Sequence, residues 1–175
     1  MEGEDQESDD ERSFNKASIL KRILIVAAGA FVNIIFGIIL YFILAMMVYG
    51  NLSMALNAIG SYSVALVESV KMLFTGQVGV NDLTGPVGIS EMVFQTSNIK
   101  EYIYMISIIS VSLGVTNLLP IPALDGGKIV LLIIEAIRKK PLKQETEAGI
   151  QLVGFSLLIL LSIFVTYHDV IRIIR

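Results

Sequence analysis

Residues 23–49 read ILIVAAGAFVNIIFGIILYFILAMMVY. Every residue in this stretch is apolar, small or neutral except Asn33, and the stretch exceeds the roughly 20 residues that a helix needs to cross a bilayer core. Hydrophobic residues make up 54% of the 175-residue chain, and the mean hydropathy is +0.74. A water-soluble protein of this size forms its core with a smaller fraction of hydrophobic residues. The sequence therefore predicts a membrane protein whose first transmembrane helix lies at residues 23–49.

Two further apolar runs follow. The run at 103–119 is continued by a shorter one at 129–137, and Leu124-Asp125-Gly126-Gly127 interrupts them. This pattern predicts a spanning helix, a tight turn and a shorter helix that leaves on the same side. The last run, at 150–167, ends at Tyr167, His168 and Asp169, which are typical of a headgroup interface. We therefore expect an all-α polytopic protein with three spans and a broken helix.

The segment at about residues 61–75, between the first two spans, has an amphipathic pattern. One helical face is apolar and carries Leu66, Val67, Val70 and Phe74. Glu68 and Lys71 fall on the other face. The pattern predicts a helix that lies on the outer membrane surface.

The charged residues are unevenly distributed. Seven acidic residues fall within the first eleven positions, which predicts that residues 1–20 form an acidic, disordered segment ahead of a membrane domain at 21–175. Basic residues number four before the first span, two between the first and second spans, five between the second and third, and two after the third. The positive-inside rule then predicts a cytoplasmic amino terminus in a cell-membrane protein.

Cysteine is absent and His168 is the single histidine. The absence of cysteine excludes disulfide frameworks, thiolate zinc sites and cysteine nucleophiles. Nothing in the sequence suggests a nucleic-acid partner.

The segment with the most chemical information runs from Asn117 to Gly127 and reads NLLPIPALDGG. A carboxylate near membrane depth is costly, so Asp125 needs a cation, a hydrogen-bond network or water. Two prolines and two glycines break the helix around it, which is tolerated at that depth only where protein or a water-filled cavity covers the backbone. This favours a buried polar site. The residues alone leave open a second interpretation, in which Asp125 caps a helix that begins near Gly126.

The pattern Asn117-x-x-Pro120-x-Pro122-x-Leu124-Asp125-Gly126 resembles the second signature motif of the site-2 proteases, a family of intramembrane zinc metalloproteases. Three more segments match in the same order: Arg12-Ser13-Phe14-Asn15, Ala28-Gly29-x-Phe31-x-Asn33 and Gly85-Pro86-Val87-Gly88-Ile89. The resemblance implies that Asp125 is a zinc ligand beside two histidines of an H-E-x-x-H helix. It further implies a cleft for a transmembrane protein substrate, shaped by Asn33, Asn117, Pro120, Pro122 and Gly126.

Three departures from the family pattern qualify this expectation. The 175 residues contain no H-E-x-x-H, and Gly50–Ser61 offers too few residues for the PDZ domain that many bacterial members carry. Ala30 stands where the family usually has proline. We therefore expect the carboxy-terminal portion of a site-2-type protease. This portion should be inactive alone and should not hold Zn²⁺ without the missing H-E-x-x-H segment.

Small and polar residues share faces on two spans. Gly29, Asn33 and Gly37 share one face, while Ser110, Gly114 and Asn117 share another. Such faces are typical of close helix packing, and a role beside the active site is equally open. The rival to the protease hypothesis is a non-enzymatic scaffold or pseudoenzyme that binds a transmembrane partner through Asn33, Gly114 and Asn117.

Two other titratable residues are expected to have no catalytic role. His168 is interpreted as an interfacial residue beside Tyr167 and Asp169. Glu135 precedes the basic run Arg138–Lys140 and is interpreted as a helix-end charge at the cytoplasmic surface.

Overall fold

The computed structural model of the chain describes residues 14–77 and 84–174, without the side chains of Asn15, Leu73 and Phe74. Every regular element in those ranges is a helix, which confirms the all-α prediction. A short 3-10 helix occupies Phe14–Lys16. The α-helices are α1 (Ile19–Tyr49), α2 (Leu52–Thr75), α3 (Pro86–Gln95), α4 (Ile99–Asn117), α5 (Asp125–Arg138) and α6 (Gln144–Ile174).

Three helices of the described residues, α1, α4 and α6, are long and apolar enough to cross a membrane. They correspond to the three predicted spans, but α6 extends past its apolar run at both ends. Glu145 and Glu147 lie in its first turn, where the positive end of the helix dipole stabilises acidic side chains. α1 is continuous through Ala30, so the helix has no break at that position.

Helix α2 begins earlier than the amphipathic pattern predicted. The side chain of Asn51 accepts hydrogen bonds from the backbone N–H groups of Ser53 and Met54, at 2.9 and 3.3 Å. Gly76 ends the helix in the left-handed region with φ +69°. These two caps fix the ends of α2, and its membrane-surface position stays a prediction.

The predicted acidic segment at residues 1–20 lies largely outside the described residues. Within it, the chain is helical at Phe14–Lys16 and again from Ile19. The division of the chain at residue 21 stays a prediction.

The chain divides into two compact units. The first combines the residues up to Asn33 with Leu113–Leu157, and the second combines Ile34–Ser112 with Leu158–Arg175. In the first unit Phe14, Val26 and Leu132 form a small buried core, and Ile19, Ile23 and Ile129 pack against it.

In the second unit α1 and α4 approach closely at Gly37. A Cβ atom at this glycine would collide with the Val111 side chain, and the Ser107 hydroxyl donates to the Gly37 carbonyl at 2.8 Å. Ser107 and Val111 are both fully buried. Gly37 therefore has the packing role that the sequence analysis left open for it, and the α4 residues that it meets are Ser107 and Val111. Gly29 has open space where a side chain would lie.

An aromatic contact attaches α2 to α1 in the same unit. The rings of Tyr41 and Tyr62 stack with centroids 4.1 Å apart and an angle of 11° between their planes. Burial raises the pKa of the Tyr62 phenol, so this ring stays neutral at physiological pH. Stacking of the two rings contributes roughly 1 kcal/mol of stability beyond the burial of their apolar area.

Candidate functional site

The motif loop, residues 118–124, connects α4 to α5 through irregular backbone. Helix α4 ends at Asn117, and the N–H of Ile121 then donates to the Leu119 carbonyl at 2.7 Å. The N–H of Leu124 donates to the Ile121 carbonyl at 3.1 Å, and Ala123 takes a positive φ of 73°. A non-glycine residue in that region is strained by about 1–2 kcal/mol. The loop therefore satisfies part of its backbone hydrogen bonding internally, as non-helical backbone between apolar helices requires.

Two glycines let the motif loop lie directly against the first turn of α5. A Cβ atom at Gly126 would collide with the carbonyl oxygens of Leu118 and Leu119, and one at Gly127 would collide with that of Ile121. Both glycines are buried. The obstacles are main-chain atoms, which cannot rotate away, so no larger residue fits without moving the loop.

A third glycine holds the other side of the motif loop. A Cβ atom at Gly154, in α6, would collide with the backbone and ring of Pro122. The loop is thus packed between the start of α5 and the middle of α6, with backbone contacts on both sides. This arrangement leaves little freedom to the residue that follows the loop, Asp125.

Asp125 is the first residue of α5 and is half-buried. The N-cap position belongs to Leu124, whose backbone is extended and whose carbonyl accepts from the Lys128 N–H at 3.2 Å. The alternative that put Asp125 at the cap is therefore off by one position. Its carboxylate still lies at the positive end of the α5 dipole, which stabilises its ionised form.

All the site residues predicted from the sequence belong to the first unit. Gly126 is buried; Asn33, Asn117 and Pro122 are half-buried; and Pro120 is exposed. Of these residues, Gly126 contacts the start of the motif loop, and Pro122 is packed between Gly127 and Gly154. These contacts account for the glycine and the second proline of the motif, since Gly126 and Pro122 occupy positions where the loop meets helix backbone.

An ion pair joins the start of α1 to α5, the helix that carries Asp125. Arg22 donates to Glu135 at 3.1 Å, and the two side chains are only 10% and 14% exposed. The Phe14 ring lies 5.0 Å from both the Arg22 guanidinium carbon and the Lys128 ammonium nitrogen. The interpretation of Glu135 as a surface helix-end charge is therefore wrong, because its side chain is largely buried and pairs with Arg22, 113 residues earlier in the sequence.

The second unit contains a polar contact that the sequence did not predict. The Asp169 side chain is fully buried, and its Oδ2 atom accepts hydrogen bonds from the N–H groups of Gly85 and Gly88 at 2.9 and 2.8 Å. Gly85 is the N-cap residue of α3, so a carboxylate from α6 caps α3 in place of a local side chain. Arg172 lies 3.5 Å from the other carboxylate oxygen. The burial of Asp169 is new relative to the sequence analysis, and its position at a headgroup interface stays a prediction.

The Asp169 contact had only a partial signal in the sequence. Gly85-Pro86-Val87-Gly88 was recognisable as a turn that begins a helix, because proline is favoured at the first helical position. No local pattern indicates that an acidic residue more than 80 positions away supplies the cap.

The described residues do not by themselves fit a catalytic zinc. No group of three or more histidine, cysteine, aspartate or glutamate side chains comes together within residues 14–77 and 84–174. Catalytic zinc in proteins usually takes three protein ligands and a water. Asp125 can thus offer one anionic oxygen ligand, and the remaining donors would have to come from elsewhere.

The fold and the motif define a class: an all-α, multi-pass membrane protein with a broken-helix Leu-Asp-Gly motif. The model of Peptidase family M50 matches residues 1–161, and the chain belongs to this family. The resemblance drawn from the motif is therefore confirmed.

Curated relatives agree with that assignment. The chain is 40% identical over 123 residues to the zinc metalloprotease RasP of Shouchella clausii, and the match covers 69% of this chain and 29% of the relative. It is 43% identical over 110 residues to the regulator of sigma-W protease RasP of Bacillus subtilis, with 62% of this chain and 26% of the relative covered. The chain thus spans less than a third of the length of these relatives.

Proposed function

We propose that this chain is the carboxy-terminal portion of a zinc-dependent intramembrane metalloendopeptidase, and that Asp125 is one of its zinc ligands. The family and its zinc metalloprotease members support the reaction class. The observation that carries the assignment of Asp125 is the motif loop, which glycines on α5 and α6 hold against helix backbone. A metal ligand must be positioned within a few tenths of an ångström, and a rigid loop directly before Asp125 provides that.

The other residues of the motif have positioning roles in this proposal. Pro120 and Pro122 remove two N–H donors from the motif loop, so the loop cannot continue α4 as a helix. Asn117, at the end of α4, and Asn33, in α1, offer amide groups that can hydrogen-bond a substrate backbone. The substrate is a transmembrane protein segment, which enters a cleft shaped by these residues and Gly126.

The missing donors come from another segment in this proposal. A zinc site of this class needs two neutral imidazoles and a carboxylate that acts as general base, whereas the 175 residues contain one histidine. We propose that an H-E-x-x-H helix outside these residues completes the site. The small share of the relatives that the chain covers leaves ample length for such a helix.

Peptidase assays on the chain alone and on the chain supplied with an H-E-x-x-H helix test the proposal. The helix is fused upstream or co-expressed, and cleavage of a transmembrane substrate is measured. Activity should be absent with the chain alone and should appear with the helix. Asp125→Asn, which keeps the shape of the side chain but removes its charge, should abolish the gained activity.

Glu145→Gln is a matched control for that variant, because it neutralises an exposed carboxylate in the first turn of α6 in the same unit. It should leave the activity unchanged. Full activity with asparagine at position 125 would mean that the aspartate only stabilises the start of α5.

The non-enzymatic scaffold remains the rival. It requires Asn33, Gly114 and Asn117 to bind a transmembrane partner, but Gly114 is buried and the two asparagines are half-buried within the chain. This burial leaves little of that face available to a partner, so we favour the protease. A scaffold would bind its partner equally well with asparagine at position 125.

We also propose that the amino terminus is cytoplasmic, because the basic residues concentrate before α1 and between α5 and α6. Single cysteines at Ser97 and Thr146 test this in a chain that has no cysteine of its own. A membrane-impermeant thiol reagent should label intact cells at position 97 and not at 146. The opposite pattern would reverse the orientation.

A further inference from the structure

Helix α5 has an unusual distribution of polar and apolar side chains. Glu135, one of its charged residues, pairs with Arg22 in the first unit, and Leu132 is buried beside Phe14. From Val130 to Ile137 its exposed side chains are apolar. The residues of this exposed apolar stripe recur at helical spacing: Val130 (38% exposed), Ile133 (45%), Ile134 (38%) and Ile137 (77%).

The length of α5 limits what the apolar stripe can contact. Asp125–Arg138 comprises 14 residues, or about 21 Å of helix, which is less than the roughly 30 Å of a hydrocarbon core. The same unit exposes Leu152, Val153, Phe155 and Leu157 of α6, a helix apolar enough to span. The apolar stripe and this α6 surface lie in the same unit. Both expose apolar side chains, which is typical of surfaces that face lipid.

Basic residues follow the apolar stripe directly. Arg138, Lys139, Lys140 and Lys143 are all exposed, and no acidic residue lies between positions 136 and 144. Lys139 takes a left-handed conformation with φ +54°, which ends α5 and turns the chain toward α6. None of these four residues makes an ion pair with another described residue. We call them the basic cluster.

We propose that the apolar stripe and the basic cluster together form a binding surface for anionic phospholipids. The acyl chains contact the stripe, and the phosphate headgroups pair with the cluster at the membrane boundary. Basic clusters directly next to a membrane-inserted helix attract anionic lipids with about 1 kcal/mol, or about fivefold, per side chain. Ile137 joins the two parts, because it is the most exposed residue of the stripe and immediately precedes Arg138.

Tryptophan fluorescence tests this proposal, since the chain contains no tryptophan. Ile137→Trp introduces a single fluorophore at the junction of stripe and cluster. The full chain is reconstituted in two sets of vesicles with the same ratio of phosphatidylglycerol to phosphatidylcholine. Only the phosphatidylglycerol carries brominated acyl chains in one set, and only the phosphatidylcholine in the other.

Per mole of brominated lipid, the anionic lipid should quench the fluorescence at least about threefold more strongly. Arg138→Gln combined with Lys139→Gln, Lys140→Gln and Lys143→Gln should bring the two quenching values to parity, and added salt should reduce the ratio in the unmodified cluster. Leu157→Trp, on the exposed side of α6 in the same unit, is the matched control and should show parity from the start. Parity at position 137, or selectivity that survives loss of the charges, would refute the headgroup site. Absence of quenching by both lipids would show that protein, rather than lipid, covers the stripe.

Discussion

Each of the two units contains a pair of glycines whose lack of a side chain allows a close contact, but the groups that contact the glycines differ between the units. Gly126 and Gly127 meet the carbonyl groups of the motif loop, whereas Gly85 and Gly88 meet the carboxylate of Asp169. The first contact is between main-chain atoms and needs no particular side chain on the loop. The second depends entirely on one buried acidic residue. The motif loop is thus a rigid support for Asp125, and the Asp169 contact is an attachment that a single substitution can release.

The largest expected effect comes from Gly126→Ala. The added methyl group would overlap two backbone carbonyls, so the motif loop must move, at a cost of about 3 kcal/mol or more in the free energy of unfolding. Reversible unfolding in detergent micelles measures this loss.

Gly29→Ala is the matched control, because α1 has open space at that position. It should change the stability little or raise it by up to about 1 kcal/mol, as alanine favours helix. Equal losses for the two variants would mean that Gly126 is not in close contact with the loop.

A comparable effect is expected from Asp169→Ala. It leaves the N–H groups of Gly85 and Gly88 buried without an acceptor, at about 1–3 kcal/mol for each unsatisfied group. Asp169→Asn keeps one acceptor oxygen and should cost less. Hydrogen exchange of the amides at the start of α3 should accelerate in the order wild type, asparagine, alanine. Unchanged exchange in the alanine variant would show that Asp169 does not hold α3.

The smallest effect should come from Gly88→Ala, the same substitution in the second unit. The added methyl group would meet the end of the Arg172 side chain, a Thr84 methyl group and a carboxylate oxygen. Arg172 is 40% exposed and can move away, so we expect a loss of about 1 kcal/mol. A loss as large as that of Gly126→Ala would show that the second contact is as rigid as the first.

The contrast between local and long-range contacts also explains which features the sequence could predict. The three spans follow from unbroken apolar runs, and the motif loop follows from prolines and glycines that are adjacent in sequence. Both signals are local. The turn at Gly85-Pro86 was also visible, but its acceptor comes from the far end of α6.

The partners of Glu135 and Asp169 could not be predicted, because both pairings are long-range. Glu135 precedes three basic residues in sequence, yet it pairs with Arg22, because α5 packs its charged side against α1. Asp169 lies between a histidine and an apolar run, and its neighbours gave no indication of burial. A carboxylate next to an apolar run can lie at a membrane interface, cap a distant helix or do both, and only the tertiary structure reveals the cap.

The most direct test of the central claim is the zinc affinity of the chain assembled with an H-E-x-x-H helix, measured by competition with a chelator. If Asp125 is a ligand, Asp125→Asn should weaken zinc binding by more than the roughly 10–100-fold that loss of an outer hydrogen-bonding partner costs. Gly88→Ala, in the other unit, should leave the affinity unchanged. An unaltered zinc affinity in the asparagine variant would contradict the account, because the rigid motif loop would then be positioning a residue that does not hold the metal.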